Sequence, residues 1–180
     1  MNALILVIPS PKYFILLKAT RNPYSGPTTA SAAWNGSLMR LAPVPLSYAN
    51  SFIEAVEKSG ESSRTTHGAI GAVDSCRYLG GLIAGATTRV DKKDLLSERY
   101  SREPGYWDDN PLCTEVDTVA KGLFKEKSPP VVKRSGYVVE CLEAALWAFY
   151  NADSFEEGCL LAVNLGDDSE KLCELATYGS

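Results

Sequence analysis

The chain has 180 residues, of which 45% are hydrophobic and 22% are charged, and its formal net charge is −4. This length is sufficient for one domain with a hydrophobic core, and the composition is ordinary for a globular protein. The mildly acidic balance disfavours DNA or RNA as the main ligand, because nucleic-acid-binding surfaces concentrate basic residues.

The cysteines are odd in number and scattered, and none of them forms a C-x-x-C pair. A disulfide framework and a structural zinc site are therefore disfavoured. We expect reduced thiols, mostly packed as small apolar residues, in a reducing compartment such as the cytoplasm. The five cysteines are Cys76, Cys113, Cys141, Cys159 and Cys173.

The first residues contain two short apolar runs, 3–8 and 13–17, that are separated by Pro9 and Pro11. A secretory signal needs a basic start and a longer unbroken apolar run, and a membrane helix needs about 18 apolar residues. Because neither pattern is present, we expect no membrane segment. We interpret residues 1–20 as an apolar leader that precedes the domain.

Residues 19–36 are rich in turn formers and are predicted to be a loop. From Pro45, apolar residues recur at three- and four-residue spacing, which predicts a helix that ends at Gly60. A longer apolar stripe predicts a second helix from about Thr66 to Ala86. Its glycines indicate a close helix–helix approach rather than a phosphate-binding loop, since no strand precedes them. These glycines are Gly68, Gly71, Gly80, Gly81 and Gly85.

Asp91 is placed to cap a short helix. Residues 101–114 are predicted to form a long loop, and residues 115–127 a weak helix that ends before Pro129. An apolar face between Val138 and Phe149 predicts the clearest helix of the chain.

Ser154 and Glu157 have the spacing of a capping box and predict one more helix. No run of five or more residues alternates between apolar and polar as a half-buried strand does. The predicted fold is therefore all-α.

Four segments, in this order, together resemble one protein family. They are residues 33–40 (AWNGSLMR), 62–77 (SSRTTHGAIGAVDSCR), 135–149 (SGYVVECLEAALWAF) and 164–168 (NLGDD). The chain is similar in these segments to the carboxy-terminal part of the ADP-ribosylglycohydrolases. The domain assigned in this way covers residues 21–180.

The resemblance implies a compact helical bundle with a cleft that holds ADP-ribose above two magnesium or manganese ions. It also implies hydrolysis of the bond between the anomeric carbon of the ribose and an arginine, serine or other acceptor. The family further includes the dinitrogenase-reductase-activating glycohydrolases and a branch that serves as a lens crystallin.

Asn35, Gly36 and Ser37 form a turn whose backbone N–H groups have little steric cover, which suits the binding of a diphosphate. An ordinary turn is the alternative. The resemblance implies that these three residues bind the substrate.

His67 is the single histidine of the chain. The resemblance places it along the ligand cleft as a binding group rather than as a general base, and a structural histidine is the alternative. Gly136 and Tyr137 match an element that packs against the nucleotide part of the ligand. For Tyr137 the alternative is a core tyrosine that precedes the next helix. No catalytic residue is assigned.

Asp167 and Asp168 would, by themselves, suit a helix N-terminus. In the family this place reads D-x-D-T and coordinates the metal pair, so the resemblance implies Asp168 and Glu170 as metal ligands. Oxygen ligands of this kind suit magnesium. Lys171 replaces the threonine and places a positive charge there, which works against metal binding.

The family's Thr-Asp-Asp metal cluster and its acidic residue near the scissile bond belong to an amino-terminal half that nothing before residue 21 resembles. Trp34 and Arg134 also stand where glycines are usual. We therefore expect a truncated family member. Its uncovered apolar faces predict marginal stability or self-association.

Three functional hypotheses follow from these residues. The first is hydrolysis of ADP-ribosyl bonds, the second is weak ADP-ribose binding without turnover, and the third is a structural role as in the crystallin branch. An unrelated Ser-His-Asp hydrolase is disfavoured because no G-x-S-x-G motif occurs.

Overall fold

The computed structural model of the chain describes residues 15, 18–132 and 135–165. Over these residues the regular secondary structure is helical. The β-type pairing described is an isolated antiparallel bridge between Trp34 and Tyr137, which is not part of a strand. Short 3-10 turns occur at Ala30–Ala32 and Leu123–Glu126. The all-α prediction is therefore confirmed. The α-helices are α1 (Gly36–Met39), α2 (Pro43–Ser47), α3 (Phe52–Arg64), α4 (Ile70–Thr87), α5 (Lys92–Leu95), α6 (Tyr106–Asp109), α7 (Thr114–Ala120), α8 (Val138–Asn151) and α9 (Phe155–Asn164).

Helices α3 and α4 form an extensively packed pair, and glycines of α4 lie in their interface. A Cβ atom on Gly80 would lie 2.2 Å from Ser59 Oγ, and one on Gly81 would lie 3.0 Å from the ring of Phe52. The glycines thus allow the two helix backbones to approach closely, as the sequence predicted.

The helix predicted from Pro45 to Gly60 is wrong at both bounds. The region forms two helices, and Ser51 starts α3 by accepting a hydrogen bond from the N–H of Glu54 at 3.3 Å. Gly60 does not end α3, because it faces α4, where a Cβ atom would lie 2.9 Å from Cγ of Arg77. A glycine that predicted a helix end therefore serves close packing instead.

Helix α8 lies in the core, against α4 and α7. Val138, Leu142 and Ala148 have no exposed surface. Glu143 of the same helix is only 8% exposed, and Lys127 Nζ lies 2.5 Å from its Oε1. A buried carboxylate is tolerated here because it has a cationic partner.

Helix α9 begins with the predicted capping pattern. The Ser154 side chain accepts a hydrogen bond from the N–H of Glu157 at 3.2 Å. The Glu157 carboxylate in turn accepts one from the N–H of Asp153 at 2.7 Å, one residue before the capping serine.

The second predicted helix is confirmed but begins at Ile70, and the predicted weak helix is confirmed as α7 followed by a 3-10 turn. The prediction that residues 101–114 are a loop throughout is wrong, because α6 lies within them. Asp91 lies at the N-cap of α5, although its side chain makes no capping hydrogen bond within the described residues. Among the helices described, none has the length and apolar character to cross a bilayer.

Candidate functional site

Two of the sequence motifs meet through main-chain hydrogen bonds. The N–H of Asn35 donates to the carbonyl of Gly136 at 3.0 Å, and the N–H of Val138 donates to the carbonyl of Ala33 at 3.0 Å. The start of α1 is therefore held next to the start of α8, although about one hundred residues of sequence separate them.

Asn35 is buried and lies at the N-cap of α1. Its carbonyl accepts the N–H groups of Leu38 at 2.9 Å and of Met39 at 3.1 Å. The N–H groups of Gly36 and Ser37 belong to the first turn, where a helix has no carbonyl of its own to receive them. They are the donors that the sequence predicted for a diphosphate.

The hydroxyl of Ser37 points into the protein. It accepts a hydrogen bond from Ser63 Oγ at 3.0 Å, and the thiol of Cys76 lies 3.6 Å from it. Complete burial raises the pKa of Cys76 to about 11, so the thiol stays protonated. The Ser37 side chain joins α1 to α3 and α4, and a ligand at this turn would meet its N–H instead.

His67 lies against Gly36. A Cβ atom on Gly36 would be 3.1 Å from Cε1 and 3.2 Å from Nε2 of the imidazole. The other ring nitrogen, Nδ1, lies 2.8 Å from Thr66 Oγ1. Burial, and then the positive charge of Arg40, lower the pKa of His67. The imidazole is therefore neutral at physiological pH.

Arg40 was not assigned a role from the sequence, although it ends the first of the four motifs. Its Nη2 donates to Thr66 Oγ1 at 2.7 Å, to the Ser62 carbonyl at 2.8 Å and to Thr65 Oγ1 at 3.2 Å. Its Nη1 donates to Ser62 Oγ at 3.0 Å. Arg40 therefore joins the end of α1 to the turn that carries His67.

Gly26 and Pro27 contact the turn that carries His67 from the other side. The N–H of Gly68 donates to the carbonyl of Pro27 at 3.1 Å. A Cβ atom on Gly26 would lie 2.5 Å from the backbone nitrogen of His67, and one on Gly68 would lie 2.6 Å from the carbonyl oxygen of Gly26. Only glycines allow these two backbones to approach so closely.

Tyr137 is half-buried at the N-cap of α8, and its hydroxyl donates to the carboxylate of Glu115. Burial, and then the hydrogen bond to Glu115, raise the pKa of Tyr137 to about 12. Next to it, the indole of Trp34 covers Gly136, where a Cβ atom would lie 2.8 Å from two ring carbons. Glu115 had not been predicted, because its partner is distant in the sequence.

The predicted metal ligands Asp168 and Glu170 lie outside the described residues, as do Asp167, Arg134 and Lys171. Among the residues that are described, no group of three or more His, Cys, Asp or Glu side chains is arranged to hold a metal ion. These side chains alone therefore do not fit a binuclear site, and the assignment of Asp168 and Glu170 stays a prediction.

Six predicted binding residues are thus brought into one cluster by the fold. The family model described as ADP-ribosylglycohydrolase matches residues 12–174. The chain belongs to the ADP-ribosylglycohydrolase family. The clustered residues of this ADP-ribosylglycohydrolase-family protein are Asn35, Gly36, Ser37, His67, Gly136 and Tyr137.

Relatives of this family member include two proteins named ADP-ribosylarginine hydrolase Tri1. The one from Pseudomonas putida is 34% identical over 153 residues, which are 85% of this chain and 39% of the relative. The one from Serratia proteamaculans is 34% identical over 155 residues, which are 86% of this chain and 39% of the relative. The chain thus spans about two fifths of the length of these relatives.

A solved structure titled "ADP-ribosylglycohydrolase-related protein complex" has the same fold, with a TM-score of 0.78 and 32% sequence identity. The similarity covers 94% of this chain and 56% of the solved one. The helical arrangement of the described residues of this ADP-ribosylglycohydrolase-family protein is therefore similar to that of the solved structure.

Proposed function

We propose that this chain forms the part of an ADP-ribosylglycohydrolase domain that binds the ADP-ribosyl group. The observation that supports this proposal is that the fold joins three elements of the predicted site. The first-turn N–H groups of α1 lie beside the imidazole of His67, and the main chain at the start of α1 is paired with the segment that carries Tyr137.

Each group suits one part of the ligand. Backbone N–H groups at Gly36 and Ser37 bind phosphate oxygens without a side chain in the way. The imidazole of His67, beside Gly36, adds a directional donor without a net charge. Tyr137 offers an aromatic surface to the nucleotide part.

The proposed reaction of the whole domain is hydrolysis of the bond between ribose and an arginine side chain. The arginine acceptor is supported by the names of the two Tri1 relatives. When bound, magnesium or manganese would orient the ribose and polarise a water molecule. Asp168 and Glu170 are the proposed ligands, and the described residues contain no group of three or more His, Cys, Asp or Glu side chains that could hold a metal ion. The cysteine pattern supports a cytoplasmic location as part of the same proposal.

Isothermal titration of the purified chain with ADP-ribose tests the binding proposal. We expect the wild-type chain to bind ADP-ribose and Gly36→Ala to weaken this binding at least about tenfold. A tenfold loss of affinity corresponds to about 1.4 kcal/mol, which is the scale of one or two displaced hydrogen bonds. The new Cβ atom would press on the imidazole of His67 at 3.1 Å. Gly158→Ala is the matched control, because its Cβ atom would meet only Ala152 at 3.4 Å.

The same titration with and without magnesium separates the hypotheses. Magnesium-dependent binding, followed by release of free ADP-ribose from ADP-ribosylarginine, supports hydrolysis. Binding that is indifferent to magnesium, without turnover, would identify a binding protein and overturn the hydrolase proposal for this chain. Absence of binding at millimolar ADP-ribose would overturn both and leave the structural hypothesis.

A further inference from the structure

The contacts of Arg40 converge on the turn between α3 and α4. Three of its four hydrogen bonds go to Ser62 and Thr65, at distances of 2.8–3.2 Å, and these fix the plane of the guanidinium. The shortest, at 2.7 Å, goes to Thr66 Oγ1. Arg40 is half-buried, and burial lowers the pKa of its guanidinium, although an arginine remains charged under all ordinary conditions.

The hydroxyl of Thr66 connects Arg40 to His67. Thr66 is 5% exposed, and its Oγ1 lies 2.8 Å from His67 Nδ1. The hydroxyl has one proton to donate and two acceptor positions, one of which Arg40 Nη2 occupies. The guanidinium has no acceptor atom, so of these two neighbours only the imidazole nitrogen can receive the hydroxyl proton. Donation from Thr66 to Nδ1 is therefore the arrangement that gives this proton an acceptor.

An imidazole whose Nδ1 accepts a hydrogen bond, and which is neutral, carries its proton on Nε2. The Cε1–Nε2 edge of the His67 ring lies beside Gly36, because a Cβ atom there would be 3.1 Å from Cε1 and 3.2 Å from Nε2. The Nε2–H donor therefore lies next to the first turn of α1, which carries the N–H groups of Gly36 and Ser37.

We propose that Arg40 is a positioning residue that acts through Thr66 to hold the proton of the His67 ring on Nε2, next to the Asn35–Gly36–Ser37 turn. These contacts fix which nitrogen of the His67 ring carries the proton. The contribution of the Nε2–H donor to ligand binding rests on the proposed function, because the Asn35–Gly36–Ser37 turn is the proposed diphosphate site. The hydrogen-bond arrangement itself is independent of any ligand.

The single histidine of the chain makes this proposal directly measurable. In ¹⁵N-labelled protein, a long-range ¹H–¹⁵N correlation spectrum shows one imidazole, and its two nitrogen shifts report the tautomer. We expect a protonated Nε2 and an unprotonated Nδ1 at neutral pH. We also expect a titration midpoint below about 6.5, the value of an unperturbed histidine.

Two threonine variants separate positioning from packing. Thr66→Val removes the donor to Nδ1, so the tautomers should mix and the titration midpoint should rise toward the unperturbed value. Thr65→Val is the matched control, because the Thr65 hydroxyl also accepts from Arg40 but donates to the carbonyl of Ser62 at 2.8 Å. Thr66→Ser keeps the hydroxyl and should restore the wild-type shifts.

Arg40→Gln should raise the midpoint as well, because it removes the positive charge that acts on the imidazole. A wild-type spectrum with the proton on Nδ1 overturns the proposal, whether or not any variant folds. An unchanged tautomer and midpoint in folded Thr66→Val also overturn it. Titration of the wild-type chain with ADP-ribose is a separate measurement, so loss of the proposed function and loss of the positioning role are told apart.

Discussion

Ser59 and Gly80 meet in the interface of α3 and α4, where a Cβ atom on Gly80 would lie 2.2 Å from Ser59 Oγ and 2.7 Å from Ser59 Cβ. The hydroxyl of Ser59 is itself held by the carbonyl of Ala55 at 2.6 Å. The serine has no exposed surface, so it has no space into which to move.

Gly80→Ala should therefore destabilise the chain by about 1–3 kcal/mol, because overpacking outweighs the higher helix propensity of alanine. Chemical denaturation measures the change. Gly71→Ala in the same helix is the matched control, since its nearest neighbours would be 3.6 Å away. That variant should be neutral or stabilised by up to about 1 kcal/mol. Equal effects of the two substitutions would contradict the proposed close approach.

The lowered pKa of His67 predicts a specific pH dependence of stability. Because burial and Arg40 disfavour the charged imidazole, the unfolded chain binds the proton more readily than the folded chain. The contribution of the neutral histidine is complete above about pH 6.5 and is lost as the pH falls from there to the folded-state pKa.

Denaturation of the wild type and of His67→Asn between pH 8 and pH 5 measures this effect. The difference between the two free energies of unfolding should be constant above neutrality. Below about pH 6.5 the wild type should lose stability relative to His67→Asn. Carboxylates titrate equally in both proteins, so the difference isolates the histidine. A difference that does not change with pH would show that folding leaves this pKa unperturbed.

Cys76 is predicted to be inert in the folded protein. It is fully buried, and its pKa of about 11 leaves very little thiolate near neutral pH. Cys159 on α9 is only half-buried and is a useful internal reference. Alkylation with iodoacetamide, followed by peptide mass mapping, should label Cys159 first and Cys76 only after denaturant is added. Equal labelling rates in the native protein would contradict the burial of Cys76.

The apolar face of α9 leads to a prediction about self-association. Phe155, Leu160 and Val163 are 49%, 55% and 42% exposed, although all three belong to the apolar stripe of this helix. Sedimentation velocity should show a mass that rises with concentration, because association removes this surface from water. Leu160→Glu should reduce the association.

Leu46→Glu on α2 is the control for that substitution, because Leu46 is 50% exposed on a different helix. It should leave the association unchanged. A single monomeric species over the whole concentration range, with a sharp melt that does not depend on concentration, would rule out both marginal stability and self-association.

Local patterns in the sequence determined the all-α class and the two carboxy-terminal helices of the described region. The apolar spacing between Val138 and Phe149 and the Ser154–Glu157 cap involve residues within a few turns of one another. Such signals depend on helix geometry alone, so they can be recognised in the sequence without knowledge of the fold. The family motifs likewise identified the six residues that the fold brings together.

Tertiary structure alone decided how those residues are connected. Gly60 lies inside α3 because α4 crosses it, the Ser37 hydroxyl is turned inward toward Ser63, and Tyr137 finds its partner at Glu115. The role of Arg40 depends on Thr66, which lies 26 residues away. Hydrogen bonds and packing between distant segments leave no periodic signal in a single sequence, because their geometry exists only after the helices have assembled.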